Sequence, residues 1–338
     1  MTTRIVITEK MDLLPAQWER LHAIDPNPSI YNYATRSAQE WHGRCEGHEI
    51  VCSGKTGMTS PMSDNPLDLA VYHLETGTRV FYPFTTVANV NRDLLRAAGV
   101  TFAYAPGSNK HAVAEWVVLM MLALGRQFTS VVNQLDATVE IPRLKGLAGN
   151  RATILGMGNV GWEVATRLAP MGMRIATYTS LFQRLMPANE RLERSLGVEF
   201  EGFYGEADLY NCVREADFVI NCLSRKLGNE GMLNRKFFDA IKQGAFFLSM
   251  ANPEIWDMGA LEDVLDSGHL AGAGIDVGDR APADVTHENY VRMANHPRIL
   301  ATAQTAHYTD HTQVVGYGMM LKSMEASIRG VEIPYLWA

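Results

Sequence analysis

Short apolar runs alternate with polar or helical stretches along most of the chain, which predicts parallel strands connected by helices. In the first hundred residues, four such runs indicate a small α/β domain. They lie at 5–7, 49–52, 79–82 and 100–104. After residue 150 the runs follow one another more regularly, with a helix predicted over 161–171, and this pattern is typical of a doubly wound parallel sheet. These later runs lie at 152–155, 174–178, 218–223, 245–250, 272–277 and 299–302.

Two longer segments have the period of a helix rather than of a strand. Residues 110–126 are apolar on nearly every face, which is typical of a helix buried between domains or between subunits. We interpret this segment as the first helix of the central domain and as part of a dimer interface. Residues 310–329 predict one long amphipathic helix, with Thr309 as its N-cap.

Composition and charge exclude several classes of partner. The 338 residues suffice for two domains, and 47% of them are hydrophobic. A net charge of -7 argues against nucleic acid or an anionic membrane as the main partner. No apolar run is long enough to span a bilayer, and the first six residues are typical of a strand rather than of a signal peptide. We therefore predict a cytoplasmic protein without a membrane or nucleic-acid partner.

The four cysteines favour neither a zinc site nor a disulfide framework. They are Cys45, Cys52, Cys212 and Cys222, and none of them forms a C-x-x-C pair. Cys222 is predicted to lie inside an apolar strand, as a small buried hydrophobic residue. This cysteine pattern is typical of a protein in a reducing compartment.

A glycine-rich loop follows the run at 152–155. Its sequence is Gly156-Met157-Gly158-Asn159-Val160-Gly161, and it ends at the start of a predicted helix. In that context, G-x-G-x-x-G predicts a loop that binds the diphosphate of a dinucleotide. The first glycine permits a tight turn, the second lets the backbone approach the diphosphate, and the third lets helix and strand pack closely. We therefore expect NAD or NADP as the cofactor.

The end of the next predicted strand bears on the choice between these two cofactors. A carboxylate there accepts hydrogen bonds from the ribose hydroxyls of NAD and repels the 2′-phosphate of NADP. The chain has Tyr178-Thr179-Ser180 at this place, and its next carboxylate is Glu190. Arg184 is close enough along the chain to meet a phosphate. The pattern modestly favours NADP, although Thr179 is also able to hydrogen-bond an ordinary ribose.

Several motifs occur together in one order and spacing. They are APGSN at 105–109, AVAE at 112–115, the glycine loop, EADFV at 215–219, residues 238–249 and GAGIDV at 272–277. On these motifs the chain, from about residue 79 to 330, resembles the D-2-hydroxyacid dehydrogenases. The resemblance implies a homodimer in which a Rossmann domain, a doubly wound parallel sheet, is inserted into a smaller flavodoxin-like α/β substrate domain. The predicted boundaries are 1–108 plus 307–338 for the substrate domain and 109–306 for the NAD(P)-binding domain.

The resemblance also implies where the catalytic residues should lie. Family members use an arginine that binds the substrate carboxylate, a histidine that moves the proton, and a glutamate that orients the histidine. Short motifs place Asn252 at the position of the arginine and Gln304 at that of the histidine. Ala281, with Asp279 nearby, occupies the position of the glutamate, and PFTTV at 83–87 replaces a glycine-rich substrate loop. Because glutamine does not titrate and asparagine carries no charge, the usual chemistry is not expected.

Two histidines are candidates for the missing acid or base. His307 lies three residues beyond Gln304, where the alternative is that it packs at a domain hinge. His111, next to Lys110, begins the apolar helix, where the alternative is a solvated turn. His307 and His311 are spaced i,i+4, but without a third ligand this spacing does not favour a metal site.

Cationic and strand-end residues complete the candidate site. Arg225 and Lys226 follow a predicted strand and are candidates for binding an anionic substrate or the phosphates of NADP, with a surface loop as the alternative. Asp276 matches the family aspartate near the nicotinamide, and we expect Leu223 and Ala251, at the ends of neighbouring strands, to contact the cofactor as well.

Three hypotheses about function are open at this stage. The first is an NAD(P)-dependent oxidoreductase that acts on an atypical small substrate, either anionic or polyhydroxylated. This hypothesis includes a redox-neutral reaction in which the cofactor stays tightly bound. The second is a non-catalytic protein that senses NAD(P) through domain closure. The third is an ordinary 2-hydroxyacid dehydrogenase with a relocated acid or base.

Overall fold

The computed structural model describes residues 4–54, 73–85, 87, 90–128, 144–179, 198–225, 228–277 and 285–338. The chain forms two compact units, one of residues 1–109 with 308–338 and the other of residues 110–307. The described strands form two parallel sheets, which confirms the predicted α/β class. The assignment of the first unit to the substrate stays a prediction.

The regular elements have the following bounds. The strands are β1 (Ile5–Ile7), β2 (Ser29–Ile30), β3 (Ile50–Cys52), β4 (Arg79–Phe81), β5 (Thr101–Ala103), β6 (Arg151–Leu155), β7 (Arg174–Tyr178), β8 (Phe200–Tyr204), β9 (Phe218–Asn221), β10 (Phe246–Ser249), β11 (Gly272–Asp276) and β12 (Ile299–Thr302). The α-helices are α1 (Pro15–Ile24), α2 (Ala38–Cys45), α3 (Arg92–Ala97), α4 (Lys110–Gly125), α5 (Asn159–Leu168), α6 (Arg235–Ala240), α7 (Met258–Asp266), α8 (Glu288–Ala294) and α9 (Asp310–Ile328).

The sheet of the first unit has the strand order β2-β1-β3-β4-β5, which is the flavodoxin-like order. Successive residues of β1 point to opposite faces. Ile5 and Ile7 belong to a core that contains Leu321 of α9, whereas Val6 belongs to a core that contains Trp41 of α2. Because both faces of the strand are covered, the run is apolar throughout instead of alternating.

The sheet of the second unit has the order β12-β11-β10-β9-β6-β7-β8, and every neighbouring pair is parallel. The strand order reverses between β6 and β9, where Leu155 pairs with Asn221. In doubly wound sheets, ligands bind outside the carboxyl ends of the strands at such a reversal. This order confirms the predicted Rossmann architecture and places the glycine loop, which follows β6, at the reversal.

Helix α4 packs closely on this sheet where β11 has glycines. A Cβ on Gly274 would lie 3.1 Å from the Cβ of Met120, and a Cβ on Gly272 would lie 3.4 Å from a methyl group of Leu124. Leu119 and Leu122 of the same helix are 60% and 37% exposed. The chain therefore leaves part of this apolar helix uncovered, and its role in a homodimer stays a prediction.

Several element boundaries differ from the predicted ones. β9 ends at Asn221, so Cys222 follows the strand and does not lie inside it. The helix predicted over 161–171 begins at Asn159, and its last turn, Ala169–Met171, is a 3-10 helix. The apolar pattern does not predict β2, which has only two residues, or β8, where most residues are not fully buried.

Within the described ranges, no helix is long and apolar enough to cross a membrane. The same residues include no group of three or more His, Cys, Asp or Glu side chains placed to hold a metal ion. The four cysteines are free thiols.

Candidate active site

The glycine loop joins β6 to α5 through a turn that suits glycine at two positions. Gly156 has a φ of 94°, in the left-handed region, and its amide donates to the carbonyl of Tyr178 at 2.8 Å. A Cβ on Gly161 would lie 2.1 Å from the carbonyl oxygen of Gly156. The backbone conformation at 156 and the close packing at 161 therefore explain why these two positions are glycine.

Gly158 instead faces open space. No atom of the described residues lies within 4 Å of the place that a Cβ on Gly158 would take. Gly158 is also the N-cap of α5, and no described side chain caps the helix there. The first amides of an uncapped helix are available to donate to an anion. The loop therefore fits the diphosphate of a dinucleotide, which the amides of Asn159, Val160 and Gly161 would hold.

Thr179 directly follows β7 and is 3% exposed. Its amide donates to the carbonyl of Tyr204, at the end of β8, at 3.0 Å. Thr179 is thus fixed at the sheet edge where a ribose would lie. Ser180, Arg184 and Glu190 fall outside the described residues, and the preference for NADP stays a prediction.

Asn252 follows β10 and has a structural partner. Its Oδ1 accepts a hydrogen bond from the amide of Glu254 at 2.8 Å and caps the short 3-10 helix Pro253–Ile255. The Nδ2 group of the same side chain still carries two hydrogens that can be donated to a ligand. Ala251, which precedes Asn252, is half-buried at the same edge of the sheet.

Arg225 lies beyond the end of β9, two residues after Leu223. Its Nε forms a short ion pair with Oε2 of Glu254, on the segment that Asn252 caps. A carboxylate therefore compensates the charge that the sequence suggests as an anchor for an anionic ligand. Lys226, the other cation predicted here, is outside the described residues, as are Asp279 and Ala281.

Asp276 ends β11 and is 8% exposed. Its carboxylate accepts hydrogen bonds from the hydroxyl of Thr302 at 2.6 Å, from the amide of Thr305 at 2.8 Å and from the amide of Ala306 at 3.1 Å. Burial raises the pKa of Asp276 above its ordinary value, although these hydrogen bonds act in the opposite direction. Asp276 therefore ties β11 to the turn that follows β12.

Gln304 lies in that turn and is half-buried. Its φ is 53°, in the left-handed region that residues other than glycine rarely adopt. The amides of the two residues that follow it, Thr305 and Ala306, donate to the carboxylate of Asp276. The position of Gln304 at the carboxyl edge of the sheet is thus set by backbone contacts.

His111 lies in the first turn of α4 and is bonded to α5. Its Nδ1 is 2.8 Å from Oε1 of Glu163, while Nζ of Lys110 is 3.1 Å from Oε2. Arg167 forms a short ion pair with the same carboxylate. Burial acts to raise the pKa of Glu163, but hydrogen bonds from Arg167 and Lys110 outweigh it and hold this pKa at about 2. Glu163 is therefore charged near neutral pH and orients the ring of His111.

His307 is half-buried at the end of the second unit, three residues beyond Gln304. His311 is exposed in the first turn of α9 and belongs to the first unit. A catalytic role for His307 stays a prediction.

The structure brings most of the candidate residues to one edge of the second sheet. Each follows or ends a strand of that sheet, and in chain order they are the glycine loop, Thr179, Leu223, Ala251 with Asn252, Asp276 and Gln304. Sequence reasoning missed Glu163 and Thr302, whose partners lie far away in the chain. The hydroxyl oxygen of Thr302 also accepts a hydrogen bond from the indole Nε1 of Trp116 at 3.0 Å. It also missed the cap by Asn252, for which Asn-Pro-Glu is a recognisable helix-start signal.

A doubly wound sheet with a glycine loop of this sequence at its reversal point is typical of proteins that bind a dinucleotide. The family model for the NAD binding domain of D-isomer specific 2-hydroxyacid dehydrogenases matches residues 118–306. The chain belongs to this family and is an NAD(P)-dependent oxidoreductase.

Relatives of known name cover most of the chain. D-lactate dehydrogenase from Streptococcus agalactiae serotype V is 28% identical over 261 residues, which are 72% of this chain and 75% of that protein. A glyoxylate reductase from Paecilomyes thermophila has a similar structure, with a TM-score of 0.78, 18% identity and coverage of 99% of this chain and 98% of that one. D-lactate dehydrogenase with NAD+ from Lactobacillus jensenii gives a TM-score of 0.71 at 18% identity, covering 98% of this chain and 99% of that one. At these identities, the two structural matches support the fold alone.

Proposed function

We propose that this oxidoreductase transfers a hydride between NAD(P) and a small polar substrate that is not an ordinary 2-hydroxy acid. The proposal rests mainly on one observation. The glycine loop keeps the geometry of a dinucleotide site, whereas the positions after β10 and β12, at the same sheet edge, carry the neutral amides of Asn252 and Gln304. An arginine and a histidine are expected there from the family resemblance.

The residues at this edge favour a neutral, polyhydroxylated substrate over an anionic one. Binding a carboxylate calls for a cation with fixed, preferably bidentate donors. Arg225 is already paired with Glu254, so its charge is compensated. The amide groups of Asn252 and Gln304 both donate and accept hydrogen bonds, which suits hydroxyl and carbonyl groups.

The bound nicotinamide would supply or accept the hydride, and the chain has to move one proton. Gln304 cannot do so, because an amide does not titrate near neutral pH. His111 is our candidate, because Glu163 holds its Nδ1 at 2.8 Å and a carboxylate partner fixes the orientation of a catalytic imidazole. His307 is the alternative proton donor.

Matched substrate pairs test the substrate class. Dihydroxyacetone and hydroxypyruvate differ by a CH2OH group in place of a carboxylate, and pyruvamide and pyruvate differ by an amide. We expect the wild-type enzyme to have the higher kcat/KM for the neutral member of each pair. Asn252→Arg should shift the ratio toward the acid by roughly tenfold to a hundredfold, as expected for one charge-assisted hydrogen bond. Efficient reduction of both 2-oxo acids by the wild type, with no turnover of the neutral compounds, would overturn the proposed substrate class.

Histidine variants test the proton donor. His111→Gln should lower kcat by about 100-fold or more if this ring moves the proton, while leaving the dissociation constant for NADPH nearly unchanged. His307→Gln is the matched comparison. A large loss of kcat in His307→Gln alone would assign the role to His307 instead.

The identity of the cofactor, and whether the protein retains it on purification, distinguish a dehydrogenase, a redox-neutral enzyme and a sensor. We favour NADP over NAD, because Thr179 and not a carboxylate lies at the end of β7. Mass spectrometry of the denatured protein identifies any cofactor that is retained on purification, and fluorescence titration gives the affinities for NADH and NADPH. A stoichiometric, retained cofactor supports a redox-neutral reaction. Binding without turnover of any substrate pair would instead favour a sensor and contradict catalysis.

A further inference from the structure

Asn221 is a fully buried amide at the point where the strand order of the second sheet reverses. It ends β9, and its register partners are Leu155 of β6 and Ser249 of β10. Apolar residues are usual at the centre of a parallel sheet that is covered on both faces. A buried polar group is destabilising there unless it is hydrogen-bonded, so its partners indicate why the chain has an asparagine at this position.

Both ends of the Asn221 carboxamide have a partner. The amide of Leu223 donates to its Oδ1 at 3.2 Å, and its Nδ2 donates to the hydroxyl oxygen of Ser249 at 3.1 Å. Because a backbone amide can only donate, the side-chain oxygen has to face Leu223 and the NH2 group has to face Ser249. Ser249 is buried and ends β10, so it orients the carboxamide from the neighbouring strand.

The three residues after β9 are each held by a hydrogen bond. The amide of Cys222 donates to the carbonyl of the last residue of β6 at 2.9 Å, and the next amide, that of Leu223, is bonded to Asn221. The carbonyl of Ser224 accepts a hydrogen bond at 3.0 Å from a buried asparagine further along the chain. Segment 222–224 therefore has a fixed path at the carboxyl edge of the sheet, and Asn221 accepts the second of its three bonds.

Segment 222–224 passes close to the first glycine of the glycine loop. A Cβ on Gly156 would lie 3.0 Å from the carbonyl oxygen of Cys222 and 3.2 Å from the Cα of Leu223. A dinucleotide lies across the reversal of a doubly wound sheet, with one half on each side. The adenosine half would lie on the side of β7, where Thr179 is, so the nicotinamide half would lie on the side of β9, beside segment 222–224.

On the basis of the dinucleotide site in the function proposed above, we infer that Asn221 is a positioning residue for the nicotinamide half of the cofactor. Its carboxamide fixes the backbone of segment 222–224, and this backbone forms one wall of the place that the nicotinamide takes. Because Asn221 is fully buried, it acts through this backbone and not through contact with the cofactor.

Binding of a whole and of a truncated dinucleotide tests this inference. ADP-ribose and its 2′-phosphate contain every part of NAD and of NADP, respectively, except the nicotinamide ring. Asn221→Leu removes both hydrogen bonds at similar side-chain volume. It should raise the dissociation constant of NADH or NADPH, whichever the wild type binds more tightly, by about tenfold or more, and that of the matching truncated ligand by less than about threefold. Equal losses for both ligands, or wild-type affinity for the whole dinucleotide, would overturn the inference.

Ser249→Ala is a milder form of the same test. It removes the partner of Nδ2 but keeps the bond to Leu223, so the carboxamide is less firmly oriented and folding is disturbed less. It should weaken binding of the whole dinucleotide by about fivefold and that of the truncated ligand by less than about twofold. If Asn221→Leu does not fold, Ser249→Ala decides: unchanged affinity for the whole dinucleotide, or an equal loss for both ligands, would overturn the inference.

Thr153→Val is the matched control for the loss of a buried hydrogen bond. Thr153 is fully buried in the middle of β6, and its hydroxyl donates to the carbonyl of Cys212 at 2.9 Å. This change should lower the melting temperature but leave the affinities for both ligands close to those of the wild type. A selective loss for the whole dinucleotide in this variant as well would show that general destabilisation is the cause, and would overturn the inference.

Hydrogen exchange of the Leu223 amide distinguishes failure of this inference from failure of the proposed function. In the ligand-free protein, this amide should exchange about tenfold faster or more in Asn221→Leu than in the wild type. Unchanged exchange would overturn the inference. Failure of the wild type to bind any dinucleotide would contradict the proposed function, whereas the exchange experiment would still decide whether Asn221 holds segment 222–224.

Discussion

The carbonyl oxygen of Gly156 occupies the space that a side chain at position 161 would need. A Cβ on Gly161 would lie 2.1 Å from this oxygen, which is far inside van der Waals contact. Neither residue can shift easily, because the amide of Gly156 donates a hydrogen bond to the carbonyl of Tyr178 and Gly161 lies in the first turn of α5. The close approach of β6 and α5 therefore depends on the absence of a side chain at 161.

Gly161→Ala should accordingly push α5 away from β6. We expect a loss of about 1–3 kcal/mol in the free energy of unfolding, as for other overpacked sites, together with weaker dinucleotide binding because the helix terminus moves. Thermal denaturation and NADPH fluorescence titration measure the two effects. Wild-type stability in this variant would show that the contact relaxes without cost.

Gly158→Ala should separate binding from stability. A Cβ at Gly158 meets no atom of the described protein within 4 Å, so the folded protein has room for it. The diphosphate of a bound dinucleotide needs that same space, since the backbone of the second glycine approaches it directly. We expect a melting temperature close to that of the wild type and a dissociation constant for NADPH raised by about tenfold or more, equivalent to about 1.4 kcal/mol. Unchanged affinity would place the diphosphate elsewhere.

The glycine loop also shows why part of the site was predictable from sequence. The contact between Gly156 and Gly161 joins residues five positions apart, so one short motif encodes it. The run before the loop is buried at every position, as is typical of a strand that is covered on both faces. The turn at Gln304 was not predictable, because its left-handed backbone goes against the local preference of glutamine. The turn is stabilised by Asp276, at the end of β11, which accepts a hydrogen bond from the amide of Thr305, 29 positions further along the chain. The hydrogen bond between His111 and Glu163, which are 52 positions apart, was not predictable either, because it depends on the packing of α4 against α5.

Helix α9 offers a matched pair of glycines in the first unit. A Cβ on Gly316 would lie 2.4 Å from the carbonyl oxygen of Pro83, in the segment that follows β4. A Cβ on Gly318 would meet no described atom within 4 Å. Gly316→Ala should destabilise the protein by about 1–3 kcal/mol through overpacking. Gly318→Ala should stabilise it by about 0.5–1 kcal/mol, because alanine favours a helix interior.

Urea unfolding of the two variants measures both effects on one helix. Opposite signs are expected for Gly316→Ala and Gly318→Ala. Destabilisation of similar size in both variants would mean that the contact with Pro83 is not the cause of the lost stability.

Asp217 should make stability depend on pH in the acid range. Its side chain is 5% exposed, and its Oδ1 accepts hydrogen bonds from Lys145 and from Lys242, both at 2.8 Å. Its Oδ2 accepts from the amide of Arg151 at 3.0 Å. Burial acts to raise the pKa of Asp217, but these hydrogen bonds outweigh it and lower the pKa from 3.8 to about 2. Because the folded pKa lies below the unfolded one, the stabilisation is complete above the unfolded pKa and is lost as the pH falls toward 2.

Asp217→Asn should therefore cost about 2 kcal/mol in the free energy of unfolding at pH 7, and its difference from the wild type should shrink between about pH 5 and pH 2. Asp263→Asn is the control, because Asp263 forms an ion pair with Arg235 at 2.7 Å but its side chain is 65% exposed. Exposed pairs contribute about 0–1 kcal/mol, so this variant should differ little from the wild type at any pH. Urea unfolding at a series of pH values measures both differences. A difference for Asp217→Asn that stays constant down to pH 2 would mean that the charge of Asp217 is not what stabilises the sheet edge.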